Sequence, residues 1–163
     1  MSSLETDLAP QVRTMQIIVV AMCAAPLIFM GITQVIGDLG PDRELAILSQ
    51  VGMVFGLVAV VMQNVLGRVI TDQASKSVAD RITQQPESLG GAYMSGMIVS
   101  VAICEGAAFL NLIAYAFQQN PWNIAMAAFL IVVAGTKFPT LGGVTAWVER
   151  TAERLKHEQQ LNS

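Results

Sequence analysis

Four long apolar runs restrict the folds that are open to this chain. They run from Met15 to Ile36, from Leu45 to Ile70, from Ala92 to Phe117 and from Trp122 to Phe138. A helix needs about 20 apolar residues to cross the hydrocarbon core of a bilayer, and each run is near or above that length. We therefore predict an all-α integral membrane four-helix bundle, with residues 1–163 forming a single transmembrane domain.

The composition supports a membrane protein and leaves little chain for anything else. Hydrophobic residues make up 53% of the 163 residues and charged residues only 13%, which is typical of membrane proteins. The net charge is −3 and no basic run occurs, so no nucleic-acid partner is expected. The first apolar run follows Glu5 and Asp7 and is too long for a signal peptide, so we expect it to remain in the mature protein.

The sequence contains no recognisable catalytic constellation. The single histidine, His157, lies in a charged tail, no Gly-x-Ser-x-Gly motif occurs, and no metal-ligand cluster can be assembled. Cys23 and Cys104 fall in different spans and are interpreted as small apolar packing residues. We therefore expect no enzyme activity, no metal and no cofactor.

The distribution of basic residues predicts the orientation of the spans. With four spans, the N-terminus, the middle loop and the C-terminus share one side of the membrane. That side holds eight of the nine Lys and Arg residues: Arg13, Arg68, Lys76, Arg81, Lys137, Arg150, Arg154 and Lys156. Short cytoplasmic loops retain positive charge, so both termini are predicted to be cytoplasmic.

The tail from 141 to 160 has the pattern of an amphipathic helix. Val144, Trp147, Val148 and Leu155 share one side, and charged residues cover the rest. One interpretation is a helix that lies in the membrane interface. The alternative is a solvated continuation of the fourth span.

Two segments of the chain resemble each other at an offset of 81 residues. VAMCAAPLIFM begins at Val20, and VAICEGAAFLN begins at Val101. The second and fourth spans match less well, so duplication of a two-helix hairpin is a hypothesis. In that alignment Ala24 occupies the place of Glu105.

Glu105 lies at the centre of the third span and is the most informative residue of the sequence. An ionised acid at that depth costs roughly 2.5 to 3.5 kcal/mol, and a protonated one avoids much of this cost. We therefore expect Glu105 to be neutral at rest. Lys137 is expected at the membrane edge, so it offers no salt bridge.

The face of the third span that carries Glu105 holds no other hydrogen-bonding side chain. Candidate polar partners are Gln63 and Asn64 on the second span. Ser100, Asn111 and Tyr115 form a separate polar stripe about a quarter-turn round the third span and are further candidates.

Small residues predict close helix packing near this acid. Gly52 and Gly56 form GxxxG in the second span, and Gly96 with Ser100 and Ala102 with Gly106 give the same spacing in the third. Small residues at this spacing let helix backbones approach closely in lipid.

Two hypotheses for function remain open on these residues. In the first, the protein forms a homo-oligomer, and Glu105 binds or transfers protons or sodium ions at mid-membrane. In the second, the protein is a structural or assembly subunit of a larger membrane complex, and Glu105 is a protonated hydrogen-bond donor. Its acceptor would be a backbone carbonyl, such as one freed where Pro26 interrupts the helix.

The segments RTMQII, EGAAFLNLIAYAF and KFPT together resemble a group of small four-span bacterial membrane proteins of unassigned function. That resemblance covers most of the chain and implies the bacterial inner membrane. More distantly, an acid in mid-helix followed by small residues resembles the proteolipid subunits that form rotor rings in F-type and V-type ATPases. The second resemblance implies an oligomeric ring in which Glu105 carries the ion.

Overall fold

The computed structural model describes residues 3–36, 46–78 and 87–161, and within these ranges the chain is helical with no strand. The helices are α1 (Ser3–Ile36), α2 (Ala46–Ser77), α3 (Ser88–Gln118), α4 (Pro121–Gly135) and α5 (Leu141–Leu161). The all-α prediction is confirmed. Three of the helices, α1, α2 and α3, are long and apolar enough to cross a membrane.

Helix α4 is shorter than the fourth span that the sequence predicts. It begins at Pro121, after Asn120 caps it by accepting a hydrogen bond from the Trp122 backbone N–H at 3.1 Å. It ends at Gly135, so its 15 residues extend only about 22 Å. That is less than the roughly 30 Å of a hydrocarbon core.

Helix α3 lies at the centre of the fold. It packs against all four other helices, whereas α1 and α2 do not pack against each other. Half of its most apolar window is buried inside the chain, against 17% for α1 and 22% for α2. The Glu105 helix is therefore the one that the rest of the chain surrounds.

The closest packing is between α2 and α3, and small residues make it possible. A Cβ atom added at Gly96 would overlap Thr71 Oγ1 and lie 2.5 Å from the backbone oxygen of Gly67. Only glycine fits where two backbones approach so closely. Gly52 and Gly56 are buried in the same face of α2, beside Asn111 and Met126.

The other predicted packing pair lies elsewhere. Ala102 and Gly106 are exposed, and no atom of another helix lies within 4 Å of a Cβ added at Gly106. Their spacing is the same as in the buried pairs, but they occupy a face of α3 that no described helix of the chain covers. Among the described residues, this pair therefore makes no close helix contact.

The two helical hairpins are packed differently. Helices α1 and α3 run parallel, because Gly90 lies beside Leu8 and the Phe29 and Phe109 rings meet at 5.5 Å. Helix α3 packs along α4, but α1 does not pack along α2. The similarity at an offset of 81 residues therefore relates parallel neighbours and does not extend to equivalent hairpins.

Helix α5 folds back onto the bundle. Its apolar residues Val144, Val148 and Leu155 are at most 4% exposed and share a hydrophobic core with the first half of α1 and with α3. Gln16 of α1 donates a hydrogen bond to the Pro139 carbonyl at 3.0 Å, in the turn that leads into α5. The amphipathic pattern is present, but the helix presents its apolar face to α1 and α3 and not to a lipid surface.

This packing makes a testable prediction for the tail. Val148→Ser puts a hydroxyl into a fully buried site and removes two methyl groups, so we expect the free energy of unfolding to fall by about 1 to 3 kcal/mol. The exposed neighbour provides the control: Glu149→Ser should change it by less than about 0.5 kcal/mol. Denaturant unfolding in detergent micelles measures both variants, and equal small effects would contradict packing of α5 on α1.

The outer surface carries a broad apolar belt. Large apolar side chains are exposed between Ile17 and Val35 on α1, between Ile47 and Val69 on α2, and between Trp122 and Val132 on α4. All seven Lys and Arg residues that the structure describes lie on one side of the middle of this belt, toward the end where α1 begins.

Candidate functional site

The height of Glu105 in the bundle follows from the contacts between α2 and α3. The two helices are antiparallel: Asn111 bonds the Gly52 carbonyl, and Ser100 bonds the Gln63 carbonyl. Between these contacts the register advances one residue for one, which puts Glu105 level with Val58. Val58 is the middle of the belt that runs from Ile47 to Val69 on α2.

The Glu105 side chain faces α1 and is only partly buried by the chain. The Cys23 thiol is the group of α1 that lies nearby on this side. One turn further along the same face, Phe109 packs edge-on against Phe29 of α1. Within the described residues, the carboxyl has no hydrogen bond and no ion pair.

The predicted polar partners of Glu105 on α2 and α3 bond to other groups. Ser100 donates to the Gln63 and Gly96 carbonyls, both at 2.9 Å. Asn64 donates to its own helix at Val60 and accepts a hydrogen bond from Lys137. Ser100 faces α2, because the polar stripe of α3 is rotated away from the face that carries Glu105.

Tyr115 is too far along the helix to reach the acid. It lies ten residues beyond Glu105, which is about 15 Å along α3. It is partly buried and makes no contact with Glu105.

Asn111 belongs instead to a buried polar cluster that joins α2, α3 and α4. Its amide donates to the Gly52 carbonyl at 2.8 Å and accepts from Asn123 at 3.0 Å. Ser49 bonds Asn123, and Asn120 donates to Ser49 at 2.8 Å. Asn111 and Asn123 are fully buried, so the cluster fixes the positions of three helices.

Sequence analysis found only one member of this cluster. Ser49, Asn120 and Asn123 lie at the ends of apolar runs, where a polar residue is ordinary and carries no signal of burial. Their burial could have been inferred only from position, because Ser49, Asn120 and Asn123 lie toward the same side of the membrane as Asn111, at the ends of the second, third and fourth spans.

A second site is a cavity of about 530 Å³ between α2, α3, α5 and the turn after α4. Basic residues line it from three elements: Arg68, Lys137 and Arg154. The only acid among the described lining residues is Asp72, whose carboxylate pairs with Arg154 and with Lys76, each at 2.9 Å. Arg68 and Lys137 have no acidic partner among the described residues, so the lining has an excess of positive charge.

Lys137 lines the cavity from the turn after α4. The sequence predicts its side chain at the membrane edge, and its Nζ lies 2.9 Å from the Asn64 side-chain oxygen in the cavity lining. The helix ends at Gly135, so Lys137 starts its side chain from the turn and reaches inward. It does not pair with Glu105, and the acid keeps no cationic neighbour within the described residues.

The deep wall of the cavity contains an unsatisfied polar group. Gln63 is 2% exposed, and its Oε1 has no hydrogen-bond partner. A buried acceptor left unpaired costs about 1 to 3 kcal/mol. Tyr93 and Trp147, whose rings lie 5.2 Å apart, line the cavity as well.

Neither site has the composition of a metal centre. The described residues contain no group of three or more His, Cys, Asp or Glu that could hold a metal ion. No protein-family model, curated protein or solved structure matches the chain. We therefore infer function from the geometry of Glu105 and of the cavity.

Proposed function

We propose that this is a small polytopic membrane protein in which Glu105 binds and releases a proton or a sodium ion inside the bilayer. The observation that carries the proposal is an acid at the middle of the apolar belt with no partner among the described residues. An ionisable group at that depth is expensive, and such groups usually mark ion pathways or proton relays.

The absence of a partner separates this proposal from a purely structural role within the chain. A permanently protonated acid is retained for structure when its O–H donates to an acceptor. The backbone of α1 near Pro26 was the expected acceptor, but Glu105 has no hydrogen bond among the described residues. An exchangeable proton or ion needs no fixed internal partner.

We further propose that a second copy completes the site. Glu105 adjoins Gly106 and lies three residues from Ala102, on the edge of the α3 face that no described helix covers. Small residues at this spacing allow a neighbouring helix to approach the backbone closely. A homo-oligomer would bury the carboxyl and supply ligands that the described residues of one chain do not provide.

The topology completes the proposal. Helix α4 and the turn through Thr140 form the fourth span, because together they cover 20 residues and α4 packs along α3. Both termini then lie in the cytoplasm, since the described basic residues cluster at the end where α1 begins. The resemblance to small four-span bacterial membrane proteins favours a bacterial inner membrane.

A second candidate function is an assembly subunit of a larger membrane complex. The uncovered face of α3 favours it, because a helix of a different protein fits there as well as a second copy. In that case Glu105 donates a hydrogen bond to the partner and never releases its proton. Glu105→Gln then preserves assembly and activity, because glutamine keeps a donor of similar shape.

Labelling with an apolar carbodiimide tests the proposed function. Such reagents partition into lipid and react with protonated carboxyl groups, so the folded protein in lipid should be modified at Glu105. Sodium ions at constant ionic strength, or a higher pH, should slow the reaction if the site binds sodium or releases its proton. Mass spectrometry of peptides locates and quantifies the label.

Two controls make the labelling decisive. Glu105→Gln should remove the label, and Glu87, a partly buried carboxyl just before α3, should react much more slowly in the same sample. Equal labelling of Glu87 and Glu105, or none at Glu105, would contradict the proposal. Selective labelling that neither sodium nor pH changes would favour the assembly subunit.

A further inference from the structure

We infer that the cavity beside Lys137 binds a phosphate-bearing molecule, and that its source is the headgroup of an anionic phospholipid. This inference is independent of the function proposed for Glu105. It depends on the charge of the cavity, its depth relative to the apolar belt, and the unsatisfied amide in its deep wall.

The charge of the lining selects an anion. Lys137 donates a hydrogen bond to the neutral amide of Asn64, and neither Lys137 nor Arg68 has an acidic partner among the described residues. Arg154 is already paired with Asp72. Two basic side chains from different elements therefore point to one site without compensation, and a phosphate group accepts hydrogen bonds from both.

The depth of the cavity favours a lipid over a soluble anion. Its lining on α2 runs from Gln63 to Ser75, so it spans the level of Val69, where the apolar belt ends. Lipid phosphates lie at that level of a bilayer. Tyr93 and Trp147 occupy the same level, as aromatic residues commonly do at a membrane interface.

The deep wall adds a requirement for a hydrogen-bond donor. Gln63 is 98% buried and its Oε1 has no partner, although the residue lines the cavity. The Oε1 is not accessible in this conformation, so the Gln63 side chain must turn toward the cavity before a headgroup hydroxyl, such as that of glycerol, can donate to it. The cavity volume of about 530 Å³ is large enough for such a headgroup.

Lipid titration of the full-length protein tests the inference. Native mass spectrometry from detergent micelles should show phosphatidylglycerol binding at least tenfold more tightly than phosphatidylcholine with the same acyl chains. The double variant Arg68→Gln, Lys137→Gln should lose this preference. The variant Arg13→Gln, Arg150→Gln removes the same charge at the same end of the molecule, outside the cavity, and should stay within twofold of wild type.

Two further measurements test whether the bound phosphate belongs to a lipid and whether the Gln63 amide contributes to binding. Inorganic phosphate, added without lipid, should raise the thermal unfolding temperature far less than phosphatidylglycerol does. A phosphate effect that exceeds the lipid effect, and that the double variant abolishes, would overturn the lipid source. Gln63→Met keeps size and charge and should weaken phosphatidylglycerol binding by about threefold or more, which general attraction to an anionic surface would not produce.

The inference fails on either of two results. One is a wild-type protein that binds phosphatidylglycerol no more tightly than phosphatidylcholine and that inorganic phosphate does not stabilise. This comparison needs no variant. The other is an equal loss of lipid preference in the cavity variant and in the Arg13→Gln, Arg150→Gln control.

Discussion

Gly96→Ala is expected to force α2 away from α3 and to lower the free energy of unfolding by about 3 kcal/mol. A methyl group at Gly96 overlaps Thr71 Oγ1 and would lie 2.5 Å from the Gly67 carbonyl oxygen. The threonine side chain can rotate, but the carbonyl belongs to the backbone of α2. The helices must therefore separate along their whole contact, which is the most extensive in the molecule.

Two variants provide the controls for this prediction. Gly91→Ala changes the same residue type on the same helix where no atom of another helix lies within 4 Å, so it should leave stability unchanged or raise it slightly. Adding Thr71→Ala to Gly96→Ala removes one of the two clashes and should restore part of the loss. Denaturant unfolding in mixed micelles measures all three, and a Gly96→Ala protein as stable as Gly91→Ala would disprove the close approach of α2 and α3.

Asn111→Leu is expected to cost about 2 kcal/mol of unfolding free energy. The substitution removes the donor to the Gly52 carbonyl and the acceptor for Asn123, and it leaves both groups short of a partner in an apolar interior. Leucine branches at the same carbon as asparagine, so the loss reflects the hydrogen bonds and not a change in side-chain shape. The effect should therefore exceed that of an ordinary polar residue in a membrane helix.

Ser95→Ala is the matched control for Asn111→Leu. Ser95 is exposed on α3 and bonds only the Gly91 carbonyl of its own helix at 3.0 Å. Its removal should change the free energy of unfolding by less than about 0.5 kcal/mol. Similar losses in the two variants would indicate that the buried cluster does not hold α2, α3 and α4 together.

The helices and their apolar character could be predicted from the sequence because they depend on local composition. Long runs without charge specify α1, α2 and α3, and the Gly52–Gly56 spacing lies on the face of α2 that packs on α3. The length of α4 could not be predicted in this way, because its end at Gly135 depends on a turn through Pro139 and not on hydrophobicity.

The side of a helix that another helix covers could not be predicted from spacing. Ala102 and Gly106 have the spacing of a packing motif but lie on the uncovered face of α3, whereas Gly67 and Gly96 make the closest contact. The choice between them depends on how α2 wraps around α3, which involves contacts far apart in sequence. Helix α5 is a similar case, because an amphipathic pattern does not specify whether protein or lipid covers it.

For the polar residues, the sequence predicts depth in the membrane but not which groups surround them. Glu105 was found because an acid inside an apolar run is rare, and its depth follows from its position in the run. Its surroundings do not follow, since the Asn64, Ser100 and Asn111 side chains bond other groups and the Gln63 side chain lines the cavity. Lys137 lies in the cavity because the turn after α4 directs it inward.

Infrared spectroscopy of the carboxyl groups in lipid bilayers tests the account of Glu105 most directly. A neutral carboxyl in an apolar environment gives a carbonyl band that carboxylates lack, and comparison with Glu105→Gln assigns it to one residue. The account predicts that wild type shows this band, and that it disappears reversibly when the pH is raised or sodium is added. A Glu105 signal that stays unchanged under both treatments, or that is a carboxylate from the outset, would contradict ion exchange at this residue.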